Sequence, residues 1–394
     1  MSAITVDGYS EGWLRRGFPW VYPKEVTAGR ARPGAMVGLI GPTGAPLGSG
    51  IADDGFVAVR RFRADDGPID AGWIAGVLDR AAALRDVVVP PETDGFRLCN
   101  AECDGLPGIR LDWWSPFAVI TIDRPSLAGL VPHVVAWLRD RRGPRGVVLA
   151  YRRDPRDPAW DPPEPALVDG HPPRGPVRVR ERGTRFDVLP LTAPDVGLYA
   201  DMREVRAWLE PHWGGTRVLN TFAYTGAFSV VAARLGASEV VSVDLARPAL
   251  DRCEQNFAAN ELQAFPHEVV CADTFRALDR FRRTGRRFER VILDPPAFSH
   301  GDGARFTAEK DYPRLVAAAA RVLDDGGWLV AASNQGDLSP KVFDGLLIDG
   351  LRKAGCQAQM LHAAGQAPDF PSATWFPEGR YLKVRVLRIT TPAP

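Results

Sequence analysis

Three carboxylates and one stiff turn are the side chains in this sequence best placed to do chemistry. Asp244 ends the run Glu239–Asp244, 24 residues after Asn220, and Asp273 follows the run Glu268–Cys271. In open α/β folds a carboxylate at the end of the second strand commonly accepts both hydroxyls of a ribose. One placed after the third can accept from the exocyclic amine of an adenine. Asp294 opens Asp294-Pro295-Pro296-Ala297-Phe298-Ser299, directly after the apolar Val291-Ile292-Leu293. Two prolines delete two backbone donors and stiffen the turn, a costly choice for structure alone. Such a turn can hold the Asp294 carboxylate and the Pro295 carbonyl beside a reacting group while Phe298 offers a face to a flat base. The plainer alternatives are helix caps for Asp244 and Asp273 and a rigid strand exit for the turn.

These residues need a frame. From about residue 191 strands alternate with helices: strands 217–222, 239–244, 268–271, 290–293 and 328–333, and helices 226–235, 248–260, 274–283, 308–323 and 340–354. That order predicts an α/β, doubly wound parallel sheet, with ligands bound at the strands' carboxyl ends where strand order reverses. The first strand runs into Asn220-Thr221-Phe222-Ala223-Tyr224-Thr225-Gly226, with one glycine where a dinucleotide fingerprint needs three. A ribose site and an adenine site without a phosphate cradle describe S-adenosylmethionine better than NAD or ATP.

Upstream, residues 1–70 hold short apolar runs broken by turn signals, which predict a small β-barrel or sandwich. Residues 71–190 mix helices (71–85, 126–141) with short strands, and a segment from Asp154 to Pro176 holding eight prolines predicts a long loop before a hairpin over 177–188. With 394 residues, two or three domains are expected. The composition, 45% hydrophobic and 25% charged, excludes wholesale disorder and fibrous repeats. Apolar stretches are too short to span a membrane, and no secretory signal is readable at the N-terminus, which implies a cytoplasmic protein. Five scattered cysteines without a C-x-x-C pair form neither a disulfide framework nor a zinc site, so no metal is expected.

At this point the residues carry a family. The Asp294 to Phe298 turn, Asn220 to Gly226, Gly197-Leu198-Tyr199-Ala200-Asp201-Met202-Arg203, Asp104-Gly105-Leu106-Pro107-Gly108 and Phe376-Pro377-Glu378-Gly379-Arg380-Tyr381-Leu382-Lys383 together resemble the class I large-subunit ribosomal RNA methyltransferases of the 5-methylcytosine type. The resemblance spans essentially the whole chain. It implies a PUA-like RNA-binding domain over 1–70, opening with Leu14-Arg15-Arg16-Gly17-Phe18-Pro19-Trp20-Val21, an EEHEE-type middle domain over 71–190 and a Rossmann-like methyltransferase domain over 191–394. It also implies that Asp201 and Arg203 sit near the methionine part of the cofactor. Asn220, Phe222, Tyr224, Gly226, Asp244, Asp273 and Asp294 would line the rest of the cofactor pocket.

One departure decides the expected chemistry. Where 5-methylcytosine formers carry Ser-Cys-Ser-Gly, this chain has Ser333-Asn334-Gln335-Gly336. Carbon 5 of cytosine needs a thiolate added at carbon 6, and no cysteine falls in the loops after the fourth and fifth strands. Ser333-Asn334-Gln335 instead resembles the Ser-Asn-Asn of a related half-enzyme that makes 7-methylguanine. Guanine N7 has an in-plane lone pair and needs only alignment, which amides such as Asn334 can provide. Asp294, Pro295, Phe298 and Asn334 are therefore the catalytic candidates, with a purine nitrogen of RNA, such as guanine N7, as the target. Two Arg clusters, net +4 over Asp279–Arg290 and net +5 over Arg139–Arg156, are candidate RNA approaches. A small-molecule methyltransferase and a noncatalytic RNA-binding protein are the competing readings, and a homodimer is compatible with the sequence but not readable from it.

Overall fold

The computed structural model describes residues 2–390 apart from 155, 158, 194, 297–299, 302, 303 and 306. They form two compact units, Met1–Arg182 with Val188–Val196 and Pro368–Gly379, and Gly183–Asp187 with Gly197–Ala367 and Arg380–Pro394.

The first unit holds two sheets. One has six strands in the order Trp20–Val21, Val59–Arg63, Pro46–Ala52, Met36–Ile40, Ser2–Val6, Val26–Ala28. Alternation along Met36–Ile40 turns Val37 and Leu39 inward, onto Ile4, Val6 and Leu14. Leu14 comes from a helix, Gly8–Arg15, which lies in a stretch where only strands were expected. Its local signal is Asp7, whose carboxylate accepts from Ser10 N at 2.7 Å as the N-cap. The second sheet runs Ala166–Gly170, Gly146–Tyr151, Phe117–Ile122, Ile109–Trp114, Gly95–Asn100, and its core includes Ile74 and Leu78 of helix Ala71–Val88 and Val134 and Leu138 of helix Val131–Arg141. Strand Ala166–Gly170 corrects the reading of 154–176 as loop throughout. It is an edge strand between Pro165 and Pro172, so the prolines flank the ladder without interrupting it.

The second unit is one seven-stranded sheet with helices. In chain order its elements are α1 (Arg203–Leu209), β1 (Arg217–Thr221), α2 (Ala227–Arg234), β2 (Glu239–Asp244), α3 (Arg247–Ala259), β3 (His267–Cys271), α4 (Thr274–Arg283), β4 (Phe288–Leu293), α5 (Ala308–Ala320), β5 (Leu323–Ser333), α6 (Pro340–Ala354), β6 (Gln357–Ala364) and β7 (Lys383–Thr390). The strand order is β3-β2-β1-β4-β5-β7-β6. β1 to β5 pair in parallel, in the register Thr221 beside Leu293 beside Ala331. The inner strands, covered on both faces, read as apolar runs such as Val291-Ile292-Leu293, all fully buried. The expectation of a wholly parallel sheet is corrected at its far edge, because β7 runs antiparallel to both β5 and β6. Strand order reverses at β1, with β2 on one side and β4 on the other, and that junction opens a crevice at the strands' carboxyl ends.

Candidate active site

A cavity of about 680 Å³ fills the crevice. The turn after β1 forms its floor. Phe222 (φ 55°), Tyr224 (φ 51°) and Gly226 (φ 77°) all take left-handed backbone conformations, strained for the two aromatic residues. The turn holds because Ala223 N donates to Val243 O at 2.9 Å and Tyr224 N to the Asp244 carboxylate at 2.8 Å. Only glycine fits at 226, since a Cβ there would stand 2.1 Å from Cys253 Sγ of α3. Asn220 lies almost wholly buried beneath, donating to Ser229 Oγ at 3.0 Å and so tying β1 to α2.

Asp244 and Asp273 are both on the wall. The second oxygen of Asp244 accepts from Ala246 N at 2.9 Å, so the carboxylate is gripped by backbone on both sides. Asp273 caps α4, accepting from Arg276 N at 3.0 Å. The capping role considered for it in the sequence is thus real, and it coexists with a place on the cavity wall.

The other side differs in kind. Asp294, after β4, lines the cavity and has no hydrogen-bond donor among the described residues. Burial pushes its carboxyl up to about 7, aided by the charge of Asp201 and opposed by Arg206. Pro295, Pro296 and the exposed Asn334 complete this wall; Phe298 and Ala297 lie outside the described residues. Two long-range ties fix the strand ends. The buried Tyr312 hydroxyl donates to Ala332 O at 2.7 Å, and Lys383 Nζ donates to Tyr381 O at 2.8 Å and to Gln335 O. Asp201 is held by the Tyr381 hydroxyl at 2.7 Å.

The structure gathers Asp201, Asn220, Phe222, Tyr224, Asp244, Asp273, Asp294, Pro295 and Asn334 around one cavity. It sets Arg203 apart, fully buried off the wall. Arg206 stands on the wall instead, donating to Tyr199 O at 3.0 Å. Sequence reasoning missed Arg206, Tyr199 and Phe228; the spacing of Arg203 and Arg206, one helical turn apart, was the available signal. No cysteine lines the cavity, and among the described residues no His, Cys, Asp and Glu cluster could hold a metal ion. No described helix is long and apolar enough to cross a membrane.

Both Arg clusters are partly neutralised, by acids within them and by acids brought in from elsewhere in the chain. Arg280 meets Glu268 at 3.0 Å, Arg282 and Arg283 share Asp279, and Arg286 pairs with Glu239 and Glu268. In the other cluster Arg139 pairs with Asp169, Arg141 with Asp79, Arg142 with Asp86 and Arg153 with Asp161.

A seven-stranded sheet of this order with its cavity at the β1/β4 switch defines a class I methyltransferase. The S-adenosylmethionine-dependent methyltransferase family model matches residues 144–378, and the chain belongs to that family. More narrowly, it belongs with the ribosomal RNA large subunit methyltransferases. Ribosomal RNA large subunit methyltransferase I of Aeromonas salmonicida is 30% identical, over 97% of this chain and 98% of its own. A ribosomal RNA large subunit methyltransferase of Deinococcus radiodurans is 32% identical, over 98% and 97%. The fold is also that of SMU.776, solved in complex with SAH, at 23% identity and a TM-score of 0.88 over 98% of this chain and 100% of that one. S-adenosylmethionine is the cofactor, and the cavity suits it in volume, in its strand-end carboxylates and in a floor turn whose single glycine builds no pyrophosphate cradle.

Proposed function

We propose that this protein methylates a purine nitrogen of large-subunit ribosomal RNA, with guanine N7 the favoured atom, and does so without a cysteine nucleophile. The observation that carries the reading is the acceptor wall: Asp294, Pro295 and Asn334 share the cavity of Asp244 and Asp273, and no thiol lines it. The buried thiols elsewhere are unreactive; burial pushes Cys103 up to about 11 and Cys253 to about 12.

When bound, the cofactor supplies an electrophilic methyl group on a sulfonium. Asp244 takes the ribose hydroxyls, and Asp273 the adenine amine. Phe222 and Tyr224 pack against the adenosyl group, with Gly226 and Asn220 holding the turn that carries them. Asp201 faces the methionine end, where Arg206 takes the place that the family resemblance implied for Arg203. On the acceptor side Asn334 hydrogen-bonds the edge of an extruded base, and the Pro295 carbonyl and Asp294 bound the space beside the methyl. N7 carries no proton, so no general base is required, and holding the base in line supplies much of the rate. An ionised Asp294 faces the positive charge that arises on the methylated ring.

The test is transfer of isotopically labelled methyl to purified large-subunit ribosomal RNA, followed by digestion to nucleosides. The label is expected in a methylated purine. Label in 5-methylcytosine, or none in RNA, would contradict the reading.

A further inference from the structure

The first unit holds a second cavity that the methyl-transfer reading does not use. It measures about 160 Å³ and is lined by Tyr9, Trp13, Phe18, Trp20, Tyr22 and Glu25, with Pro377 and Glu378 at one side. Two of the motifs singled out in the sequence meet there, Leu14 to Val21 and Phe376 to Lys383. The rings run in a chain: Tyr9 to Trp13 at 6.3 Å, Trp13 to Phe18 at 5.9 Å, Phe18 to Trp20 at 6.0 Å, Trp20 to Tyr22 at 6.4 Å. The inner rings are fixed. Gly17, at φ +100°, turns the chain to deliver Phe18 and Trp20, and Trp20 Nε1 donates to the buried Glu102 at 2.9 Å. The outer rings stand open, Tyr9 at 67% and Trp13 at 37% exposure.

Glu25 gives the cavity its polarity. It is 5% exposed, and one oxygen, Oε2, takes both of its donors, Ser10 Oγ at 2.7 Å and Tyr22 N at 2.8 Å. Oε1 has no donor among the described residues. With Glu378 on the same wall, the side chains offer carboxylate acceptors and ring faces, so the ligand must be donor-rich and flat or cationic. Two rings already carry guanidinium groups: Arg16 lies 5.5 Å from the Trp13 centroid and Arg156 5.7 Å from that of Trp20. A cationic ligand would meet those charges, whereas a nucleotide would gain from them. Arg16 has no carboxylate partner among the described residues and is open to a phosphate.

We infer that this cavity holds one unstacked nucleobase of the substrate RNA, stacked on Trp13 with the Tyr9 ring, inclined at 67° to it, against the base's edge, an N–H edge of guanine type on Glu25 and the attached phosphate on Arg16. A cavity of roughly 150 Å³ accommodates a single six-membered ring, so the ring bearing the Watson–Crick edge enters it and the rest of the base lies against the exposed outer rings; unpaired bases are typically read by aromatic stacking plus hydrogen bonds to that edge. The inference rests on the RNA reading above.

The test uses the full-length protein and two probes, guanosine 5′-monophosphate and tetramethylammonium, followed by saturation-transfer NMR. In parallel, the affinity of ribosomal RNA is measured for wild type, Trp13→Ala and Tyr9→Ala; both side chains are exposed, so the fold should survive. Saturation transfer to the guanine ring that is lost in Trp13→Ala is expected. So is RNA affinity weakened about tenfold, with S-adenosylmethionine affinity unchanged. Transfer to tetramethylammonium and not to the nucleotide overturns the inference in favour of a cation site. Unchanged RNA affinity in both variants, while wild type still methylates RNA, overturns it and leaves the RNA reading standing. A wild-type protein that neither binds nor methylates RNA removes both.

Discussion

The two halves of the active-site cavity are built by different means. On the β1–β3 side the carboxylates are gripped by neighbouring backbone: Asp244 by Tyr224 N and Ala246 N, Asp273 by Arg276 N. On the β4–β5 side Asp294 has no donor among the described residues, and the strand ends are held from afar, by Tyr312 and by Lys383. A grip by local amides holds both carboxylates in place before any ligand arrives. A buried carboxyl left without donors sits near neutrality and responds to whatever charge enters. The first arrangement suits constant binding of one cofactor, and the second suits chemistry in which positive charge arrives and is passed on.

If that division holds, substitutions on the two sides separate affinity from turnover. The largest effect is expected for Asp294→Ala, which should lower kcat by about 10²- to 10³-fold with a smaller change in cofactor affinity. Asp244→Ala should weaken S-adenosylmethionine binding about 10- to 100-fold by calorimetry, as loss of charged hydrogen bonds implies, while kcat at saturating cofactor is largely kept. Equal losses of affinity in both variants would erase the distinction. Asn334→Ala should reduce turnover about tenfold and leave cofactor affinity alone; the reverse pattern would move Asn334 to the cofactor side.

The remaining effect sharpens the contrast in stability. A carboxyl whose folded-state value is raised from 3.8 to about 7 binds its proton more tightly folded than unfolded, so its contribution falls as pH climbs between those values. Asp294→Asn removes that penalty. Without cofactor, the variant should melt about 5–15 °C above wild type at pH 8 and close to it at pH 4. A variant less stable at pH 8 would show that the carboxylate is held by donors after all.

Much of this unit was legible because a parallel sheet covered on both faces writes itself as apolar runs between helices. β1 to β5 and α2 to α6 fall within a few residues of their expected ranges. β6 was not, since Gln357–Ala364 is a half-exposed edge and carries no continuous apolar run, and β7 was not, since its buried Lys383–Thr390 is interrupted by Lys383, Arg385 and Arg388. The gathering of Asp244, Asp273, Asp294 and Asn334 followed from their common position after strand ends, whereas Asp201, in the helical turn Ala200–Met202, was expected only from the family resemblance. Arg206 escaped because nothing local distinguishes it from Arg203; packing alone decides which of the two turns to the cavity. Charge counted along a window also omits Glu239 and Glu268, which come to Arg286 through the β2–β3 pairing.

The central claim, methyl transfer to a purine nitrogen of ribosomal RNA without a cysteine, is tested most directly by nucleoside mass spectrometry of large-subunit ribosomal RNA from cells lacking the gene. One methylated purine, 7-methylguanine first among them, is predicted to disappear and to return when the gene is restored. A profile that stays unchanged, or one in which 5-methylcytosine is the nucleoside lost, would contradict the claim.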